Sequence, residues 1–299
     1  MSEPSGVLVV DKERGPTSHD VVARVRKRFK TRQVGHAGTL DPMATGVLVV
    51  ALGEATKLVP YLTAEDKAYE ATIRLGIETD TLDAEGQETA RLPVHADLVA
   101  RLPAALEAER ARILQVPPVY SAIKVDGQRA HELARKGRPP ELAPRDVAVR
   151  SLEVDNIHFE AGAGHLPPGV AEISVALEVT KGYFVRSLAR DLAAALGTVG
   201  HLTALRRTRS GQFTLADATD ELITLDDAAM RALPVSVLSE TGVVMAGHGK
   251  KIPPSEITDP HTRPSAWLDP HRRLVAVGEV DAEGLGRVLR GFPRVEPPK

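Results

Sequence analysis

The chain of 299 residues contains no cysteine, which excludes a disulfide framework, a thiolate nucleophile and cysteine-ligated zinc. Its 42% hydrophobic and 26% charged residues are an ordinary globular mix, and its length suits one large domain with a small appended one, each with its own core. A net charge of -2 gives no global sign of a polyanionic partner, so nucleic-acid contacts would have to come from local clusters.

GVLVV at 6–10 predicts a short buried strand, followed by a turn in DKERGPTS. A helix is expected from Ser18, a candidate N-cap, with Val21, Val22, Val25 and Phe29 on one face and Arg24, Lys27 and Arg28 on another. QVGHAGTLDPMATG at 33–46 reads as a long loop, unusual enough in a compact domain to suggest function. VLVVAL then predicts a buried strand and GEATKLVPYL a short helix. KAYEATIRLG alternates, so that Tyr69, Ala71, Ile73 and Leu75 share an inward face.

Residues 96–110 predict a helix, and the proline-rich, basic stretch at about 117–145 reads as an excursion from the sheet. EISVALEVT predicts a strand, and YFVRSLARDLAAALG a helix stopped at Gly197. Beyond about 235 the texture turns Gly- and Pro-rich, with strand-like RRLVAVGEV and GRVLRGF. The expected division is therefore 1–240 and 241–299, and removal of the second part should leave the first folded. Mixed rather than alternating strands and helices favour α+β with a largely antiparallel sheet. No run has the make-up of a signal peptide or a membrane span, so a cytoplasmic location without membrane contact is expected.

Asp41 lies in GHAGTLDP between a Gly-rich approach and a proline, a rigid presentation that by itself also suits an ordinary Asp-Pro turn. His36 and Asp41 lack further ligands at metal-binding spacing, so no metal is expected. The basic runs RVRKRFKTR and LRRTRSG, the latter with Arg206, Arg207 and Arg209, read alone as a solvated helix face or loop.

GHAGTLDPMATGVLVVALGEATKL resembles the catalytic segment of the bacterial tRNA pseudouridine-55 synthases, the TruB family. The likeness continues in order through KAYEATIRLGIETDTLDAEG, QVPPVYSAIKVDGQRAHELAR, KGYFVRSLARDLA and LRRTRSG, from about residue 6 to 215. It implies an α+β core around a mixed sheet, a thumb-like insertion at 117–145 and a C-terminal PUA-like RNA-binding domain. It also implies isomerisation of uridine 55 in the T loop of tRNA, by a monomer without cofactor or guide RNA.

By the same resemblance Asp41 matches the catalytic aspartate, Arg186 the arginine paired with it, and Tyr69 a tyrosine packed on the target base and available as a base. His36 matches a histidine that holds the extruded uridine or fills its place, and Leu205 a leucine of the base pocket. Phe184 stands where the family usually has a tyrosine, and Tyr183, aimed differently one position earlier, is a poor substitute. Arg24, Lys27, Arg28, Arg129, Arg135, Lys136 and Arg138 are expected to contact RNA phosphates. Three rivals are a guide-RNA-dependent synthase, which generally lacks the insertion, a non-catalytic RNA-folding protein, and a metal-dependent hydrolase.

Overall fold

A computed structural model describes residues 4–159 and 169–293; the last six residues of the expected 241–299 domain lie outside the described residues. Eight strands form the main sheet: β1 (Gly6–Lys12), β2 (Val34–His36), β3 (Thr45–Leu52), β4 (Lys67–Leu75), β5 (Val149–Phe159), β6 (Ala171–Val179), β7 (Gly200–Ser210) and β8 (Phe213–Thr214). Their order is β1-β3-β7-β4-β6-β5, with β2 beside β3 and β8 beside β7. The β3–β7 ladder is parallel and the others are antiparallel, so the fold is α+β with a mixed, largely antiparallel sheet. The described helices are α1 (Ser18–Phe29), α2 (Val59–Ala64), α3 (Leu98–Arg110), α4 (Ala130–Arg135), α5 (Val185–Ala195), α6 (Leu225–Ala232) and α7 (Glu240–Gly247). None of them is long and apolar enough to cross a membrane.

The period-two pattern of β4 buries Tyr69, Ala71, Ile73 and Leu75 on one face, where they meet Val175 and Leu177 of β6, Leu102 and Leu106 of α3, and Leu188 and Leu192 of α5. Three local expectations change. The N-cap of α1 is Thr17, whose hydroxyl accepts from Asp20 N while Asp20 accepts from Thr17 N, and this capping box leaves the Ser18 side chain for another use. The long loop is shortened because Val34–His36 pairs with β3, leaving 37–44 irregular. LRRTRSG is no solvated loop: it lies in β7, between β3 and β4, where Arg207 is 1% exposed.

A second sheet contains β9 (Val235–Leu238), β10 (Ile257–Thr258), β11 (Ser265–Leu268), β12 (Leu274–Val280) and β13 (Gly286–Gly291) in the order β10-β9-β11-β12-β13. Trp267 fills its inner side, and Gly278 is required there because a Cβ would stand 2.4 Å from the indole. The sheet is not packed on itself alone. Ala266, Leu268, Leu274, Val277 and Phe292 belong to one apolar cluster with Val7, Val9, Val47 and Val49 of the main sheet and Ala228 and Ala229 of α6. Leu274 N also donates to Asp226 Oδ1 at 2.7 Å. The expected separate second core is therefore partly a shared one.

Candidate active site

The segment between β2 and β3 carries Asp41, and buried side chains hold its backbone from several sides. Arg207 donates through Nη2 to Gly38 O at 3.1 Å and through Nε to Val47 O at 2.7 Å. Pro42 O accepts from Gly15 N at 2.8 Å and from Lys12 Nζ at 3.3 Å. Lys12, 1% exposed, also donates to Glu13 O and Pro16 O, and burial lowers its pKa, with Asp41 opposing that shift. Lys67 lies at the foot of β4, where burial and then the nearby Arg207 lower its pKa to about 8.

Arg186, in the first turn of α5, places Nε 2.9 Å from Asp41 Oδ2, at ion-pair distance but off the hydrogen-bond line. Its Nη1 donates to Thr81 O and its Nη2 to Tyr120 O, each at 2.9 Å. Nη1 also lies 3.6 Å from Asp83 Oδ2. The Arg186 side chain is 6% exposed, Asp83 6% and Asp41 33%, so a buried cation stands between one buried carboxylate and one open to solvent. A guanidinium at that depth needs anionic partners, which is why two acids converge on it. Asp83 is itself fixed, its Oδ1 accepting from Thr81 Oγ1 at 2.6 Å and Glu85 N at 3.0 Å. Sequence reasoning missed Asp83: the segment TDTLDAEG contains several carboxylates, and nothing local tells which turns inward.

Tyr69, 9% exposed, sits across the ladders from Arg207 and Leu177 and shares an apolar cluster with Leu40, Met43 and Leu205. A cleft of about 430 Å³ is lined by Met43, Thr45, Ala71, Leu205 and Arg206 among others, but not by Asp41, Tyr69 or Arg186. His36 ends β2 with its ring edge-on to His19, 5.5 Å between centroids, and burial followed by His19 and Arg207 lowers its pKa.

Phe184 is the N-cap of α5, held by Gln115, which accepts from Phe184 N at 2.8 Å and donates to Phe184 O at 3.2 Å. Tyr183 turns elsewhere: its buried hydroxyl donates to Glu109 Oε1 at 2.7 Å, and burial followed by that carboxylate pushes its pKa up. Arg112 Nε holds both oxygens of the same carboxylate at 2.8 and 2.7 Å. Tyr183→Phe is expected to lower stability by about 1–2 kcal/mol, because Glu109 loses one partner and keeps the other. The single-turnover rate per folded molecule should be unchanged; thermal denaturation and a rate measurement on the same sample check both parts.

The basic residues fall into two groups. Arg24 pairs with Glu13 at 3.0 Å and Arg28 with Asp220 at 2.5 Å, both exposed, while Lys27 beside them is exposed as well. In the insertion, a hairpin joins Lys124–Val125 to Gln128–Arg129 through Asp126 and Gly127, whose positive φ of 51° and 82° suit a tight primed turn. Arg129, Arg135, Lys136 and Arg138 are exposed there, and among the described residues none is in an ion pair.

The description "TruB family pseudouridylate synthase (N terminal domain)" matches residues 26–185, and "tRNA pseudouridylate synthase B C-terminal domain" matches residues 186–234. The tRNA pseudouridine synthase B of Thermobifida fusca (strain YX) is 46% identical over 283 residues, covering 92% of this chain and 94% of that protein. The protein of the same name from Corynebacterium aurimucosum is 43% identical over 303 residues, covering 97% of each. Among solved structures, a Cbf5-Nop10-Gar1 complex aligns with a TM-score of 0.69 at 24% identity over 96% of this chain and 84% of that one, a likeness of fold alone. One family description spanning more than half the chain, with relatives above 40% identity along nearly all of it, means that the chain belongs to the TruB family of pseudouridylate synthases.

Proposed function

We propose that the chain converts uridine 55 in the T loop of tRNA to pseudouridine, as a monomer in the cytoplasm, with Asp41 as the reacting carboxylate and without cofactor or guide RNA. The observation that carries this reading is the partly open Asp41 held 2.9 Å from the buried Arg186 guanidinium in a loop pinned by backbone hydrogen bonds. Relatives at 43–46% identity named tRNA pseudouridine synthase B supply the substrate class.

The reaction breaks N1–C1′, turns the uracil and forms C5–C1′, with the C5 proton leaving and N1 gaining one, so redox change and phosphate input are not needed. Attack on C1′ and removal of the C2′ proton both use the same carboxylate. Arg186 orients Asp41, and Asp83 braces Arg186 from the other side. The uracil leaves its stack to reach the site. Tyr69 and Leu205 pack against it, and Tyr69 is also placed among the candidates for taking the C5 proton. His36 holds the extruded nucleotide or fills its place, and Phe184, without a hydroxyl, acts by packing.

Phosphates of the T stem-loop meet Arg24, Lys27 and Arg28 on α1 and Arg129, Arg135, Lys136 and Arg138 on the insertion, with residues 241–299 as a PUA-like RNA-binding unit. The insertion, with Arg129, Arg135, Lys136 and Arg138 exposed, favours the stand-alone reading over the guide-dependent one. Incubating the purified protein with unmodified T-arm RNA, without metal or guide, and mapping pseudouridine tests the proposal. Absence of product overturns it, and product only after a guide RNA is added would select the rival. Removing the charges of Arg129 and Arg135 together should flatten the log-log salt dependence of RNA affinity by roughly one unit per lost phosphate contact. An unchanged slope would return those residues to an ordinary solvated surface.

A further inference from the structure

We infer that Ser18 is a positioning residue for Asp41, setting the direction of that carboxylate through the backbone of Leu40. Ser18 is 1% exposed, and its Oγ donates to Leu40 O at 3.0 Å while accepting from Leu40 N at 2.8 Å. One hydroxyl thus holds both peptide planes that flank the Leu40 Cα, and the second of those planes leads directly into Asp41. Within residues 37–44 Arg207 and Lys12 each hold one carbonyl, that of Gly38 and that of Pro42.

On the far side of Asp41, Pro42 limits the backbone, its carbonyl is held by Gly15 N, and Asp41 O accepts from Ala44 N at 3.1 Å. Asp41 is therefore suspended between a plane fixed by Ser18 and a fixed proline, and the Ser18 clamp is what resists rotation of the 40–41 peptide. The capping duty of the helix falls on Thr17, so Ser18 is not occupied by the α1 terminus. A reacting group misplaced by about 1 Å can lose on the order of 10²-fold in rate, so a clamp one residue away bears on chemistry more than on RNA affinity.

This inference rests on Asp41 being the reacting carboxylate. Single-turnover rates, RNA affinity and melting temperature are measured for Ser18→Ala, Ser18→Thr, Asp41→Asn and Val25→Ala, the last an apolar truncation of a buried α1 residue about two turns beyond Ser18. We expect Ser18→Ala to lose roughly 10–100-fold in rate with RNA affinity within about two-fold of the parent protein. Ser18→Thr, which keeps the hydroxyl, should recover most of the rate, and Val25→Ala should lose stability without a comparable loss of rate. If Ser18→Ala does not fold, Ser18→Cys, with similar volume and a weaker hydrogen-bonding group, should show the same rate defect in smaller measure. A parent-like rate in Ser18→Ala, or equal rate losses in Ser18→Ala and Val25→Ala, overturns the positioning role while leaving Asp41 as assigned. An active Asp41→Asn overturns both readings together.

Discussion

Asp41→Asn is expected to abolish isomerisation, by at least about 10³-fold in single-turnover rate, while RNA affinity stays within a few-fold of the parent protein. The amide has nearly the size of the carboxylate, so the loop held by Ser18, Arg207 and Lys12 should keep its shape. Arg186 also keeps Asp83 and the carbonyls of Thr81 and Tyr120, which limits the damage of removing one anion from a buried cation. What the amide cannot do is attack carbon or accept a proton with the strength of a carboxylate. Affinity should persist because phosphate and shape contacts are expected to supply most of it, through the exposed cations proposed on α1 and the insertion rather than through Asp41. Enzyme in excess over unmodified T-arm RNA, followed by mapping of pseudouridine, gives the rate; filter binding gives the affinity. Residual activity above a few per cent would remove Asp41 from its assigned role.

Truncation after residue 240 is expected to destabilise the remaining chain severely rather than leave a weaker but folded enzyme. The cut removes Ala266, Leu268, Leu274, Val277 and Phe292 from an apolar cluster they share with the main sheet and α6. It also strands β9, which pairs with both β10 and β11, and frees Asp226 from the backbone of Leu274. Uncovering even three large apolar side chains costs roughly 5–9 kcal/mol, against a total stability of about 5–15 kcal/mol for a typical protein. Aggregation on expression, or a melting temperature lowered by more than about 10 °C, is the expected result. A truncated chain that melted like the full one would show that the shared cluster contributes little. The composition shift near 240 was visible in the sequence; the packing across it was not, because Gly and Pro mark a change of local conformation and say nothing about which apolar faces meet.

Several structural features followed directly from local pattern. Alternation in KAYEATIRLG placed Tyr69 inward because successive strand residues point to opposite faces, and β4 buries that set. The Asp-Pro pair and its glycines marked the segment of Asp41 as rigid, and the resemblance of five motif blocks supplied the partner Arg186, which lies at ion-pair distance. Local rules misled where two polar residues competed for one duty. Ser18 and Thr17 both suit an N-cap, and only the folded chain assigns the cap to Thr17 and turns Ser18 toward Leu40.

The sequence by itself determined β1, α1, β3, β4 and β6 and their inward faces, since a period of two or 3.6 and the conformational limits of Gly and Pro act within a few residues, whereas β2, β5 and β7 emerged only in their ladders. Tertiary structure alone decided which polar side chains are buried and what they hold. Arg207 becomes a buried anchor because β7 runs between β3 and β4, bringing its guanidinium to the carbonyls of Gly38 and Val47. Asp83 and Asp41 meet on Arg186 from separate loops, and Glu109 of α3 meets Tyr183, which lies just ahead of α5. Such pairings join residues dozens of positions apart, and burial then makes each one obligatory, because a polar group cut off from water must find its partner wherever the fold brings one.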